Sequence, residues 1–127
     1  MALEWKDTYE IGDSQVDTQH QEWFELANKF LMAGDDQSLS ESGAAFFNYT
    51  QEHFSHEESL MRERQYPVAV AHAKEHEVIV STLTKILSIG RSVLSKEELN
   101  EFVNYCLVKH ITTHDAALAM YKVPAIA

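Results

Sequence analysis

The chain has 127 residues, 45% of them hydrophobic, enough for one domain with a core that needs no covalent staples. A formal charge of −10 at pH 7 argues against nucleic acid or an anionic membrane as partner, because binding phosphates needs a basic footprint. The single cysteine, Cys106, excludes an internal disulfide, and no apolar stretch approaches the ~18 residues of a membrane span.

The N-terminus carries no basic segment followed by an apolar run, so no signal peptide is expected. The expectation is a soluble, cytoplasmic single domain over 1–127. Residues 1–15 are mixed and polar, with two aromatics, Trp5 and Tyr9, and read as an extended arm packed on the body. The first predicted helix covers 16–33, capped by Asp17 or Ser14 and ended by Gly34-Asp35-Asp36. Its inward stripe is His20, Trp23, Phe24, Ala27, Phe30 and Leu31, at spacings of three and four. The second covers 40–64, with Ser40-Glu41 as cap and Phe46, Thr50, His53, Glu57, Leu60 and Met61 inward. Pro67 breaks the chain before the third, over 68–93, which turns His72, His76, Ile79, Leu83, Ile86 and Leu87 to one side. Ser95 and Glu98 form a capping box for the fourth, which ends near Tyr121. Its stripe is Leu99, Phe102, Val103, Cys106, His110 and Ala117. Connections are short and no strand pattern appears. The predicted fold is therefore all-α, an up-down-up-down antiparallel four-helix bundle with an extended N-terminal arm.

Chemistry gathers on these stripes. His72 and His76 are four apart, as are His53 and Glu57, so each pair shares a helix face. Two imidazoles one turn apart in a core leave buried polar atoms without partners unless a metal takes them, and a buried carboxylate is costly unless paired or coordinated. His20 and His110 extend the set to all four helices. Imidazole and carboxylate donors without thiolate suit iron, zinc or copper and argue against an iron–sulfur cluster. Two positions stay open on spacing alone. His114 lies four residues after His110 and shares its face, whereas Asp115 lies five after, about 140° away on an ideal helix. His56, three after His53, is a similar rival on the second helix.

The ordered motifs carry a resemblance. Trp5, Tyr9, Gly12 and Asp17-Thr18-Gln19-His20, then His53-Phe54-Ser55-His56-Glu57-Glu58-Ser59-Leu60-Met61, His72-Ala73-Lys74-Glu75-His76 and His110-Ile111-Thr112-Thr113-His114-Asp115 resemble the hemerythrins, in particular single-domain bacterial hemerythrins, over essentially the whole chain. The resemblance implies two iron ions joined by an oxo or hydroxo bridge. His72, His76 and His110 would hold one and His20 and His53 the other, with Glu57 and Asp115 bridging and His56 and His114 outside the ligand set. It implies O2 as partner, bound at the open position of the two-histidine iron. An O2 pocket of Trp23, Phe24, Phe54, Leu107 and Ile111 is expected from their nearness to ligands in sequence. Family members often carry tryptophan where this chain has Cys106, and the smaller side chain is expected to admit other packing or a wider path.

The function expected is reversible O2 binding, as a carrier or store or as the sensing domain of a signalling protein reached by fusion or interaction; no catalytic residue and no enzyme activity are expected. A di-iron enzyme, whether oxidase, peroxidase or nitric-oxide handling, is the alternative. Carboxylate-rich di-iron oxygenases use Glu-x-x-His motifs, and no histidine of this chain has glutamate three residues before it. A structural zinc takes four ligands, fewer than the seven implied here.

Overall fold

A computed structural model describes residues 3–89 and 96–121. Its elements are a 3-10 turn at Asp7–Tyr9 followed by helices α1 (Ser14–Met32), α2 (Asp36–Glu63), α3 (Ala69–Ile89) and α4 (Lys96–Asn104). The fourth arm of the bundle then continues through two π-helical segments, Tyr105–Lys109 and Ile111–Asp115, into α5 (Ala116–Met120). There is no strand among the described residues, and the all-α four-helix bundle expected from the stripes is what the chain forms.

Acidic caps set the helix starts. Asp13 accepts hydrogen bonds from the backbone N–H groups of Gln15 and Val16 at 3.0 and 3.2 Å and opens α1, a role expected of Asp17 or Ser14. Asp17 serves another purpose: its carboxylate accepts from the Ile11 N–H at 2.8 Å and ties the arm to the helix. Asp35 accepts from Ser38 N–H at 2.7 Å, so α2 begins at Asp36, earlier than the Ser40 expected as its cap. At its far end Gln65 takes φ +50°, and the Tyr66 N–H turns back to the Met61 carbonyl at 3.0 Å. Pro67 follows and α3 starts two residues later. The end expected for the third helix at 93, and the capping residue Ser95, lie outside the described residues.

The arm packs as expected. Leu3 exchanges hydrogen bonds with the Asn28 side chain, N–H to Oδ1 at 2.6 Å and Nδ2 to the carbonyl at 2.8 Å. Trp5 and Tyr9 set their rings on Phe24, with centroids 5.2 and 5.8 Å away. The helices pack in sequence order, α1 on α2 and α2 on α3, with α4 and the first π segment against α1. α2 can approach both neighbours closely because Gly43 carries no Cβ, an atom that would lie 3.2 Å from Phe30 and 2.6 Å from Leu87. One core cluster runs through the bundle, from Phe30 and Phe46 to Trp23, Phe54, Leu83, Leu107 and Ile111. A smaller one, Met61, Tyr66 and Leu118, closes the end where α2 stops and α5 begins.

The fourth arm departs from the expected stripe. Ala117 was expected inward, yet it is exposed, and Leu118 is buried instead. The cause is the π-helical winding: i→i+5 turns are wider than α turns, so each adds a residue before the chain returns to the same face. Positions 110, 114 and 117 share a face on a regular α-helix; here the buried positions are 110, 111, 115 and 118.

Candidate metal centre

Each helical arm contributes to one buried polar cluster. α1 gives His20, α2 gives His53 and Glu57, α3 gives His72 and His76, and the fourth arm gives His110 and Asp115. None of the seven is more than 3% exposed. The seven residues proposed from the sequence therefore come together from positions 20 to 115. The same π turn that buries Leu118 brings Asp115 under His110 and leaves His114 at the side.

The five imidazoles all point Nε2 inward, and the two carboxylates divide their oxygens between two sides. Glu57 turns Oε2 toward His53 at 3.2 Å and His20 at 3.7 Å. Its Oε1 faces His76 at 3.0 Å, His72 at 3.5 Å and His110 at 3.9 Å. Asp115 repeats the division: Oδ2 lies 3.1 Å from His20, and Oδ1 lies 3.1 Å from both His72 and His110. The donors form two groups, Glu57, His72, His76, His110 and Asp115 on one side and His20, His53, Glu57 and Asp115 on the other. Both carboxylates belong to both groups.

The hydrogen bonding tests whether a metal fits. The short N···O approaches lack hydrogen-bond geometry for Glu57 Oε1, both Asp115 oxygens and His72 Nε2, and these atoms have no hydrogen-bond partner. Buried polar atoms in native proteins are nearly always satisfied, and each orphan carries a penalty of about 1–3 kcal/mol. His20 and His53 bring their Nε2 atoms within 3.1 Å of each other and His76 and His110 within 3.2 Å, so nitrogen donors and partnerless oxygens converge and the residues fit a metal in each group.

Outer partners orient two of the rings, and the sequence reading missed them. His76 Nδ1 lies 3.2 Å from the Glu58 carboxylate, and His53 Nδ1 lies 3.2 Å from the Gln19 side-chain oxygen. A ligand histidine whose other nitrogen is held this way has its ring orientation and tautomer set. Gln19 also reaches His56 Nδ1 at 3.2 Å, which leaves His56 half-exposed outside the cluster. Both partners sit next to a proposed ligand in the chain, Gln19 before His20 and Glu58 after Glu57, but adjacency gave no sign that each would serve a histidine on another helix. His114 stacks on His110 with centroids 5.3 Å apart and could hold an ion with Glu75 only by sharing His110.

Charge in the metal-free cluster is strongly coupled. Burial works against the imidazolium of His20, but the adjacent Asp115 and Glu57 carboxylates outweigh it and raise the pKa to about 9. For His110, burial is again outweighed by Asp115 and Glu57, and the pKa rises to about 10. His72 moves upward for the same reasons. Burial and the Glu57 charge work to keep Asp115 protonated, yet His110 and His20 hold it down at about 2. Burial likewise opposes ionisation of Glu57, and His53, His110 and His20 keep it well below the usual carboxylate range.

Residues 12–121 match the profile of the hemerythrin HHE cation binding domain. The chain belongs to the hemerythrin family. It is 30% identical to the bacteriohemerythrin of Stenotrophomonas maltophilia strain R551-3, a match covering 92% of this chain and 79% of that protein. The bacteriohemerythrin of Pseudomonas aeruginosa strain LESB58 is 28% identical over 90% of this chain and 77% of its own length. That of Campylobacter jejuni serotype O:6 is 29% identical over 87% and 88%. A hemerythrin domain implies a non-haem metal centre, and the buried histidine–carboxylate cluster offers the donors for one.

The apolar residues expected around an O2 pocket divide in two. Phe54 lies face to face with His76, centroids 3.8 Å apart and planes within 4°. Trp23 flanks His53 at 5.2 Å and is held by an Nε1–H bond to the Thr50 hydroxyl at 2.8 Å. Leu107 and Ile111 are fully buried beside His110 in the chain. Phe24 turns instead to the arm, against Trp5 and Tyr9. Cys106 is 1% exposed, and burial pushes its thiol pKa up, so it packs as a small hydrophobe.

Proposed function

We propose that this hemerythrin domain holds two iron ions and binds O2 reversibly, as a carrier or store or as the sensing domain of a signalling protein. The observation that carries the reading is the division of each carboxylate between the two histidine groups, since a bridging carboxylate needs one oxygen per metal. His72, His76 and His110 would hold one iron and His20 and His53 the other, with Glu57 and Asp115 spanning both. Iron, when bound, would supply the electrons that reversible O2 binding requires.

The chain's own residues set the conditions. Three histidines and two carboxylates surround one position, but only two histidines and the same carboxylates surround the other. The two-histidine side therefore keeps room for a small ligand, and an open position is what separates a reactive metal site from a structural one. Trp23, Phe54, Leu107 and Ile111 give the cluster an apolar flank, which favours release of O2 over its reduction. Glu58 and Gln19 keep His76 and His53 turned inward. This reading makes the protein a binding protein of the cytoplasm, not an enzyme.

The test is an anaerobic optical titration of the iron(II)-loaded protein with O2, followed by its removal. A visible band that rises with O2 and falls when O2 is withdrawn is expected. Irreversible passage to the oxidised spectrum would overturn reversible binding and favour an oxidase.

A further inference from the structure

A cavity of about 410 Å³ opens at the end of the bundle and descends to the site. Its rim is built from the start of α1, Gly12, Asp13 and Ser14, and from Arg64 at the end of α2. Its walls include Leu60, Leu118 and Ala119. Its floor includes Glu57 and Asp115, the two carboxylates common to both donor groups. A second cavity, of about 420 Å³ between α2 and α3, reaches only His76 and its partner Glu58.

We propose that the first cavity is the port through which metal ions enter the centre, with Glu57 and Asp115 as the first groups to receive them. The inference rests on the two-metal reading above. Three features of the chain support it. The floor oxygens Glu57 Oε1, Asp115 Oδ1 and Asp115 Oδ2 are fully buried and have no hydrogen-bond partner, so each can accept a cation without giving up a hydrogen bond. Both carboxylates belong to both groups, so an ion arriving at the floor is already in contact with either position. Hard divalent cations prefer oxygen at first encounter, and imidazole can follow.

Charge and closure at the port have definite roles. Asp13 on the rim draws cations in, and a cleft with low-dielectric walls focuses its field. Arg64 opposes it at the same rim. Glu57 and Asp115 are only 1% and 0% exposed although they form the floor, so a hydrated ion must shed water to reach them. The wall that yields is α5, five residues long and preceded by π turns that forfeit regular α-helical bonding.

The experiment follows cobalt(II) uptake by metal-free protein through its visible ligand-field absorbance, in a stopped-flow instrument without O2. Ala119→Trp fills the port, and Ser81→Trp fills the second cavity. Asp13→Ser removes the rim charge but keeps a helix cap, and Arg64→Gln removes the opposing charge. Ala119→Trp should slow uptake at least about tenfold while Ser81→Trp leaves it unchanged. Asp13→Ser should slow uptake and Arg64→Gln speed it, each by roughly twofold to fivefold at low salt, with both effects vanishing at high salt. Circular dichroism checks that Ala119→Trp is folded, and the two charge variants test the port even if it is not. Equal rates for Ala119→Trp and the parent, or charge effects that salt does not change, would overturn the port while leaving the two-metal reading intact. A parent protein that never reaches two cobalt ions per chain would overturn that reading itself.

Discussion

At the scale of single residues, Asp115 and His114 compete for one role, and the backbone between them and His110 decides it. Asp115 is fully buried and faces His20, His72 and His110, whereas His114 is half-buried at the edge. Asp115→Ala should lose metal from both positions. Removing an outer-sphere partner alone costs about 10- to 100-fold in metal affinity, and a donor common to both groups should cost more. His114→Ala should keep its full metal content. Metal analysis by mass spectrometry of the two purified variants checks this, and the opposite pattern would refute the assignment. Cys106 gives a second residue-level expectation. A thiol this buried and this hard to ionise should not react with an aromatic disulfide reagent until denaturant is added, as absorbance of the released thiolate would record.

At the scale of elements, the stripes of the first three helices were legible because α-helical spacing holds through them. His20, His53, Glu57, His72 and His76 lie where periods of three and four place them. The fourth arm was not legible in this way, since nothing in the spacing of Tyr105 to Asp115 announces a wider turn. Only the family resemblance chose Asp115, and spacing misplaced Ala117. Gln19 and Glu58 stayed hidden for another reason: each serves a ring on a different helix, and tertiary neighbours leave no mark on local periodicity. Deleting Thr113, which is exposed, tests the account of the fourth arm. Without it Asp115 would follow His110 by four residues, within about 40° of it on a regular α-helix. The variant should fold, regain α-helical bonding and keep its metal. Loss of metal with the fold retained, by circular dichroism and metal analysis, would mean that the wider turn matters beyond register.

At the scale of the whole molecule, the ionised groups of the centre couple metal, protons and stability. His20 and His110 have ordinary values of 6.5, raised in the metal-free fold to about 9 and about 10. A raised pKa means that the folded state binds the proton more tightly. Their contribution is therefore complete below pH 6.5 and is lost as pH rises through 9 to 10. Asp115 and Glu57 work in the other direction. Their pKa values are lowered, so their contribution is present above the ordinary carboxylate range and is lost as pH falls toward 2. The metal-free protein should thus lose denaturant stability on both the alkaline and the acid side, measured as urea midpoints across pH. Metal binding needs neutral imidazole, so loading at pH 7 should expel the protons held on His20 and His110. A pH-indicator dye in weakly buffered solution would show acidification on metal addition, and no acidification would contradict the raised values.

The sharing of both carboxylates between two histidine groups reaches beyond ligand binding. A loaded centre is a non-covalent cross-link joining four segments of chain, and the loop it closes from His20 to Asp115 spans most of the domain. No helix can then peel away without breaking contacts to metal that its neighbours also hold. Opening becomes an all-or-nothing event, and slow opening protects a protein from proteases. With its metal withdrawn, the empty form would open more readily and be cut sooner.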